Sequence, residues 1–195
     1  MKIGIIGSSG SMGRRYNAIC EYLGYKTIKM DINDPINLNV DRMIIATPTQ
    51  THYEVWKSIK KYIPILVEKP MSKDIKECID MSIDERVSVV CNWSLVLPFI
   101  LKPNSHQIIY NFYNTGKDGV YWDTCQLIYL AKSLPLLATD SPMFMASVDF
   151  LPITLTDIER SYIKMIELWV INPSLLWNGM DGLSMTQRVL EYAKK

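Results

Sequence analysis

The chain has 195 residues and a nearly balanced charge: 21 Lys and Arg residues against 20 Asp and Glu residues leave a formal net charge of +1. Hydrophobic residues make up 48% and charged residues 21%, which is typical of a folded globular protein and excludes a disordered chain. The balanced charge, with no basic run longer than a pair such as Lys60-Lys61, argues against a nucleic-acid partner.

The spacing of the cysteines and the length of the apolar runs indicate the cellular compartment of the protein. The four cysteines lie far apart among apolar residues without CxxC spacing, which is typical of reduced core thiols: Cys20, Cys78, Cys91 and Cys125. The chain starts with a strand pattern instead of a signal peptide, and no apolar run approaches the ~20 residues of a membrane helix. We therefore expect a cytoplasmic protein without a membrane partner.

The amino-terminal residues predict a strand, a glycine-rich loop, a helix and a second strand. The apolar run 3–6 predicts the first strand, and 26–30 the second, directly before Asp31. Gly24 is predicted to end the helix, whose apolar residues recur at helical spacing: Met12, Tyr16, Ile19, Cys20 and Leu23.

The glycine loop predicts a dinucleotide site. Gly7, Gly10 and Gly13 form G-x-x-G-x-x-G, one residue looser than the commonest dinucleotide fingerprint. Glycines let the backbone approach a pyrophosphate, which the N–H groups and dipole of the helix N-terminus then stabilise. Asp31 stands where an acid accepts hydrogen bonds from the adenosine ribose hydroxyls. The alternative is a glycine-rich loop that binds no ligand.

Cofactor preference depends on two opposing features. Asp31 favours NAD, whereas Arg14 and Arg15 beside the loop can accept the 2′-phosphate of NADP. We predict NAD as the cofactor and keep NADP as the second choice.

The next segment predicts a third strand at 43–46 and a helix that runs to about Tyr62. Thr51 and Glu54 have the spacing of a capping box, so His52 is predicted to be a helix-start residue and not a catalyst.

The stretch "IPILVEKP" predicts a fourth strand and "RVSVVCNW" a fifth, with a helix between them. Ser72 is its predicted N-cap, and its predicted buried face comprises Ile75, Cys78 and Ile79. Strands that alternate with helices indicate an α/β fold with a parallel sheet, whose ligands lie beyond the carboxyl ends of the strands. The glycine loop, Thr47-Pro48 and 68–70 are therefore expected to line one crevice.

Three motifs in this order, "GIIGSSGSMGRR", "ATPTQTHYE" and "VEKP", resemble the Gfo/Idh/MocA (glucose–fructose oxidoreductase / inositol dehydrogenase) family over about the first half of the chain. The resemblance implies a Rossmann domain and an α/β substrate domain, here shortened. It also implies hydride transfer between NAD(P) and a sugar, polyol or nucleotide sugar, the small-molecule substrate. We place an NAD(P)-binding Rossmann domain at 1–98 and a reduced substrate or oligomerisation domain at 99–195.

The resemblance implies roles for individual residues. Lys69 would polarise or protonate the reacting oxygen, Glu68 would orient Lys69 or the backbone, and the bond between Lys69 and Pro70 would be cis. A charged surface turn is the alternative for these residues. The predicted cofactor contacts are Gly7, Ser9, Gly10, Ser11, Met12, Gly13, Asp31, Thr47, Pro48, His52 and Glu68.

The second half departs from the family's D-x-G-x-H-x-x-D motif. Asp123 matches its first aspartate and is predicted to be catalytic, but its other three positions hold Cys125, Leu127 and Leu130. His106, the only histidine besides His52, is predicted to be structural. A dinucleotide-binding sensor or partner subunit without catalysis therefore stays open beside the enzyme.

The remaining sequence predicts one strand, at about 143–151, and two closing helices, "LTDIERSYIKMIELWV" and "GLSMTQRVLEYAKK". Five Trp, eleven Tyr and eleven Met can supply a homo-oligomer interface, for which we expect a dimer, or they can fill the core.

Overall fold

The computed structural model describes residues 1–92, 95 and 155–192. The predicted strand at 143–151, together with Asp123, Cys125, Leu127 and His106, lies outside these residues. The elements are β1 (Lys2–Ile6), α1 (Ser11–Tyr22), β2 (Lys26–Met30), β3 (Arg42–Ile45), a 3₁₀ helix (Thr49–Thr51), α2 (His52–Ser58), β4 (Ile65–Val67), α3 (Ile75–Ser82), β5 (Val87–Val89), α4 (Leu155–Ile171), a second 3₁₀ helix (Pro173–Leu175), β6 (Trp177–Asn178) and α5 (Gly179–Tyr192).

Within the described residues, one six-stranded sheet carries the order β2-β1-β3-β4-β5-β6. The first five strands are parallel, and β6 pairs antiparallel with β5. The residues of β4 and β5 are all buried, as expected for parallel strands that are covered on both faces. The predicted α/β, Rossmann-like fold is confirmed.

Helix α1 follows the predicted pattern, because Tyr16, Ile19 and Cys20 are buried along one face. Gly24 ends it at a φ of 77°, a left-handed conformation that glycine adopts without a steric penalty. Cys20, Cys78 and Cys91 are buried free thiols. None of the helices in the described ranges is long and apolar enough to cross a membrane.

The predicted capping box at the start of α2 is wrong. The hydroxyl of Thr51 makes no capping bond and donates instead to the carbonyl oxygen of Pro48 at 2.7 Å. The Thr51 hydroxyl is therefore used in a local turn and does not cap the helix. The helix also ends at Ser58 and not near Tyr62, because the backbone of Ile59 is already extended, at a ψ of 90°.

The predicted start of α3 is also wrong. Asp74, not Ser72, is the N-cap, and its carboxylate accepts the N–H of Lys76 at 2.7 Å. The Ser72 hydroxyl donates to the Glu77 carboxylate instead. Ile79 was predicted to be buried but is 46% exposed, because the buried face runs through Cys78, Met81 and Ser82.

The chain forms two compact units, one of Met1–Val90 with Met165–Lys195 and the other of Cys91–Lys164. The closing residues join the first unit because β6 extends the sheet and α5 packs on α3. A Cβ at Gly179 would stand 2.7 Å from the Cα of Ser82. This grouping differs from the sequence-based division at 98/99, which assigned these residues to the second domain.

Candidate functional site

The carboxyl ends of the first four strands meet at one edge of the sheet. The register pairs Ile6 with Met30 and with Ile45, and it pairs Ile45 with Val67. The residues that follow these strands therefore begin at the same level: the glycine loop, Asp31, Thr47-Pro48 and 68–70. A parallel α/β sheet binds its ligands at this edge.

Two glycines of the G-x-x-G-x-x-G pattern, one in the loop and one in α1, are required by packing. Gly7 has a φ of 88°, and a Cβ there would lie 2.6 Å from the carbonyl oxygen of Ala46. A Cβ at Gly13 would stand 2.0 Å from the carbonyl oxygen of Gly7. These glycines let the loop, α1 and the end of β3 approach closely.

Gly10 differs from the other two glycines. It is exposed, and a Cβ there would meet Gly7 O at 3.3 Å and then only Ala46 O at 3.9 Å. As the N-cap of α1 it offers no side chain, and the first turn of the helix contains no acidic residue. The first N–H groups of a helix lack intrahelical acceptors, so this end suits an anion.

Asp31 is held against the glycine loop. Its Oδ1 accepts the Ser9 N–H at 3.3 Å, and its Oδ2 accepts the Ser8 hydroxyl at 3.5 Å. The Arg14 guanidinium donates to the carbonyl oxygen of Ser9 at 2.8 Å. Ser9 thus lies between Asp31, which is predicted to favour NAD, and Arg14, which is predicted to favour NADP.

The loop after β4 is built around a buried carboxylate. Glu68 is 6% exposed, and its Oε1 accepts the Tyr16 hydroxyl at 2.5 Å. Its Oε2 accepts the N–H of Lys69 at 2.9 Å, and the bond between Lys69 and Pro70 is cis, as the resemblance implied. Lys69 is half-buried and immediately follows this carboxylate.

His52 lies beneath the loops that follow β3 and β4. The side chain is 1% exposed, with Nε2 2.8 Å from the Thr47 carbonyl oxygen and Nδ1 3.0 Å from the Pro70 carbonyl oxygen. Burial lowers the pKa of His52, although these carbonyls and the Glu68 carboxylate act in the opposite direction. His52 is the first residue of α2, as predicted, while its role as a cofactor contact stays a prediction.

Sequence reasoning placed Tyr16 in the core and missed its bond to Glu68. A tyrosine on a buried helix face usually has a hydrogen-bond partner for its hydroxyl, and this rule could have indicated a polar partner for Tyr16. Ser8 was also missed, because glycine spacing does not show which loop side chain reaches Asp31. The predicted contacts Ser9, Gly10, Ser11 and Met12 all lie in the loop or the first turn of α1.

Comparison with protein families matches about a third of the chain to a known family. Residues 20–87 match the family described as "Oxidoreductase family, NAD-binding Rossmann fold". No curated protein matches the sequence significantly.

Solved structures share the fold at low sequence identity. A myo-inositol dehydrogenase from Corynebacterium glutamicum has a TM-score of 0.64 and 12% identity, covering 97% of this chain and 94% of its own. A probable dehydrogenase from Thermotoga maritima has a TM-score of 0.61 and 13% identity, covering 99% and 97%. The WlbA dehydrogenase from Thermus thermophilus, solved with NAD and UDP-GlcNAcA, has a TM-score of 0.42 and 15% identity. The match covers 51% of this chain and only 45% of the length of WlbA.

Proposed function

We propose that the chain is an oxidoreductase related to the Gfo/Idh/MocA family and that it transfers a hydride between NAD and a sugar-like small molecule. The match of residues 20–87 to an oxidoreductase family with an NAD-binding Rossmann fold supports this proposal. The observation that supports NAD most directly is the position of Asp31, whose carboxylate contacts the glycine loop through Ser9. An acid at this place accepts the hydrogen bonds of the adenosine ribose hydroxyls.

The residues at the sheet edge fit a dinucleotide. Gly10 leaves open the space that a Cβ would fill in front of α1, and the N–H groups of the first turn are available to a pyrophosphate. Thr47 and Pro48 follow the adjacent strand and would form a wall of the nicotinamide pocket. Arg14 lies in the first turn of α1, donates to the loop at Ser9 and would meet the 2′-phosphate of NADP, so the preference for NAD rests on Asp31.

We assign the acid/base role to Lys69. The bound nicotinamide supplies or accepts the hydride. The Lys69 ammonium would give a proton to the reacting carbonyl oxygen in the reductive direction, and the neutral amine would take it back in the oxidative direction. Glu68 fixes the backbone at this point, because its carboxylate accepts the N–H of Lys69. The resemblance to the Gfo/Idh/MocA family supports a sugar, polyol or nucleotide sugar as the substrate class.

A specific observation favours a second candidate, a dinucleotide-binding sensor or partner subunit. Leu127 stands where the family's motif has its histidine, and leucine cannot transfer a proton. Asp123, the remaining acid of that motif, is the third residue that we propose for catalysis. Both candidates require NAD binding and differ only in turnover.

The experiment that tests the proposal is a titration with NADH and separately with NADPH, followed by energy transfer from tryptophan to the nicotinamide. We expect tighter binding of NADH than of NADPH. Asp31→Ala should weaken NADH binding about 10- to 100-fold, since it removes hydrogen bonds to a charged acceptor. Asp80→Ala, which removes an exposed carboxylate bonded to Tyr53 on α2, is the charge-matched control and should leave the affinity unchanged.

Two outcomes would contradict parts of this proposal. Tighter binding of NADPH would mean that Arg14 and not Asp31 decides the cofactor. If neither nucleotide binds saturably, the glycine loop is structural and both candidate functions fall together.

A further inference from the structure

His52 connects two of the loops that form the proposed cofactor site. It contacts the carbonyl oxygen of Thr47 after β3 and that of Pro70 after β4, one through each ring nitrogen. We propose that His52 is a positioning residue that sets the spacing between these two loops and so shapes the pocket for the nicotinamide half of the cofactor. This inference rests on the proposed function.

The number of protons on the ring decides how many loops it holds. Both partners of His52 are carbonyl oxygens, which only accept hydrogen bonds. A neutral imidazole has one N–H, so it binds one carbonyl and turns a lone pair toward the other. The imidazolium donates to both. The two loops are therefore both fixed only when the ring carries its second proton.

Glu68 is the charged group that faces His52 from a neighbouring element. Its carboxylate is buried, is held by the Tyr16 hydroxyl and the Lys69 N–H, and raises the pKa of His52. The backbone groups of Thr47, Pro70 and Met71 act in the same direction, while burial, the largest effect, lowers the pKa below its ordinary value of 6.5. Near neutral pH the ring is therefore neutral, and one loop lacks its hydrogen bond.

This arrangement determines how cofactor affinity and protein stability change with pH. A cofactor that needs both loops in place favours the imidazolium, so its affinity rises as the pH falls toward the lowered pKa of His52. Stability of the free protein changes the other way. The unfolded chain binds the proton more readily than buried His52 does, so acidification lowers the free energy of unfolding. A histidine that only supports the fold would give the second trend without the first.

The test is the dissociation constant of NADH, measured from about pH 7.5 down to the lowest pH at which the protein stays folded, since the pKa of His52 lies below that of a free histidine. The wild-type protein should bind about three- to tenfold more tightly at the acid end, the range that one net hydrogen bond gives. His52→Gln retains an amide that can donate to one carbonyl but does not titrate, so its affinity should not vary with pH. His106→Gln is the matched control, because the chain has only two histidines, and it should follow the wild type.

A second measurement decides the matter if His52→Gln fails to fold. In the His106→Gln protein, nitrogen NMR of the single remaining imidazole should show one ring N–H near neutral pH and two exchange-protected ring N–H groups at lower pH. A ring that never gains the second protected N–H overturns the inference, as does a His52→Gln variant with the wild-type pH profile. If NADH does not bind at any pH, the proposed function fails, and the NMR titration of the free protein alone decides whether His52 holds both loops.

Discussion

The hydroxyl of Tyr16 in α1 donates a hydrogen bond of 2.5 Å to Oε1 of Glu68, a residue 52 positions later that directly follows β4. Both side chains are buried, and the second oxygen of Glu68 accepts the N–H of Lys69. The bond joins the helix that begins at the glycine loop to the turn that carries the proposed acid/base residue.

Replacing Tyr16 tests how much its hydrogen bond to Glu68 contributes to the stability of the protein. Tyr16→Phe keeps the ring but leaves the buried Glu68 carboxylate with one donor fewer, so the free energy of unfolding should fall by about 1–3 kcal/mol. Urea unfolding measures it. Tyr22→Phe is the control, because Tyr22 belongs to the same helix and is 77% exposed. Equal stability of the two variants would mean that the bond contributes nothing.

Two glycine substitutions should separate packing from cofactor binding. At Gly13 an added Cβ would stand 2.0 Å from a backbone oxygen, so Gly13→Ala should destabilise the protein strongly or prevent folding. At Gly10 the nearest atom would be 3.3 Å away, so Gly10→Ala should fold with nearly wild-type stability. Its methyl group would occupy the space in front of α1 and weaken NADH binding. Thermal unfolding and the NADH titration measure the two effects.

This expectation can fail in a recognisable way. If Gly10→Ala binds NADH as tightly as the wild type, the pyrophosphate does not approach α1 at this residue. A Gly13→Ala protein of unchanged stability would contradict the close contact between the loop and the helix.

Substitution of Lys69 should distinguish the enzyme from the sensor. Once a sugar or polyol that supports turnover is found, Lys69→Met should lower kcat about 10²- to 10⁴-fold, the contribution of a general acid or base. NADH affinity should change little. Lys73→Met, an exposed lysine four residues further on, is the control for loss of charge. Undiminished turnover in Lys69→Met would refute the role, and absence of turnover with every substrate would favour the sensor.

The buried thiol of Cys20 predicts instability at alkaline pH. Burial, together with the charge of Glu21, raises the pKa of Cys20 from 9.0 to about 12. Between these values the folded protein keeps a proton that the unfolded chain loses. The free energy of unfolding should therefore fall as pH rises, by up to about 1.4 kcal/mol per pH unit.

Urea unfolding above pH 9, with a reductant present, measures this slope. Cys20→Ala lowers stability at every pH because it leaves a cavity, but its dependence on pH should be shallower than that of the wild type. Identical slopes would show that Cys20 titrates normally in the folded protein. Cys78, whose pKa burial raises to about 11, supplies a comparable contribution that remains in this variant.

Local sequence signals predicted the first half of the fold well. Strand β2 begins and ends as predicted, because Lys26–Met30 is a short run bounded by Gly24 and Asp31. The glycine loop and Asp31 could be placed together because parallel strands end at a common edge. The errors lie at helix ends, where Asp74 and Ser72 are equally good caps by residue type and only the tertiary structure decides between them.

Interactions between distant segments could not be predicted from local patterns. Strand β6 has only two residues and exists because Trp177 and Asn178 pair with β5, so periodicity gives no signal for it. The Tyr16–Glu68 bond and the two contacts of His52 likewise depend on how helices approach the sheet. Sequence rules gave the loops of the site, whereas the contacts that hold them together required the structure.

The grouping of Met165–Lys195 with Met1–Val90 has a consequence for synthesis of the protein on the ribosome. The first five strands emerge early, but the strand that pairs with β5 and the helix that packs on α3 are made only after residues 90–176. A nascent chain therefore presents this edge and this helix face without their partners β6 and α5 until residues 177–192 have been made. We expect chaperones that recognise unpaired strands to bind during that interval, and ribosome-bound chains to gain protease resistance only after Trp177 and α5 have left the exit tunnel.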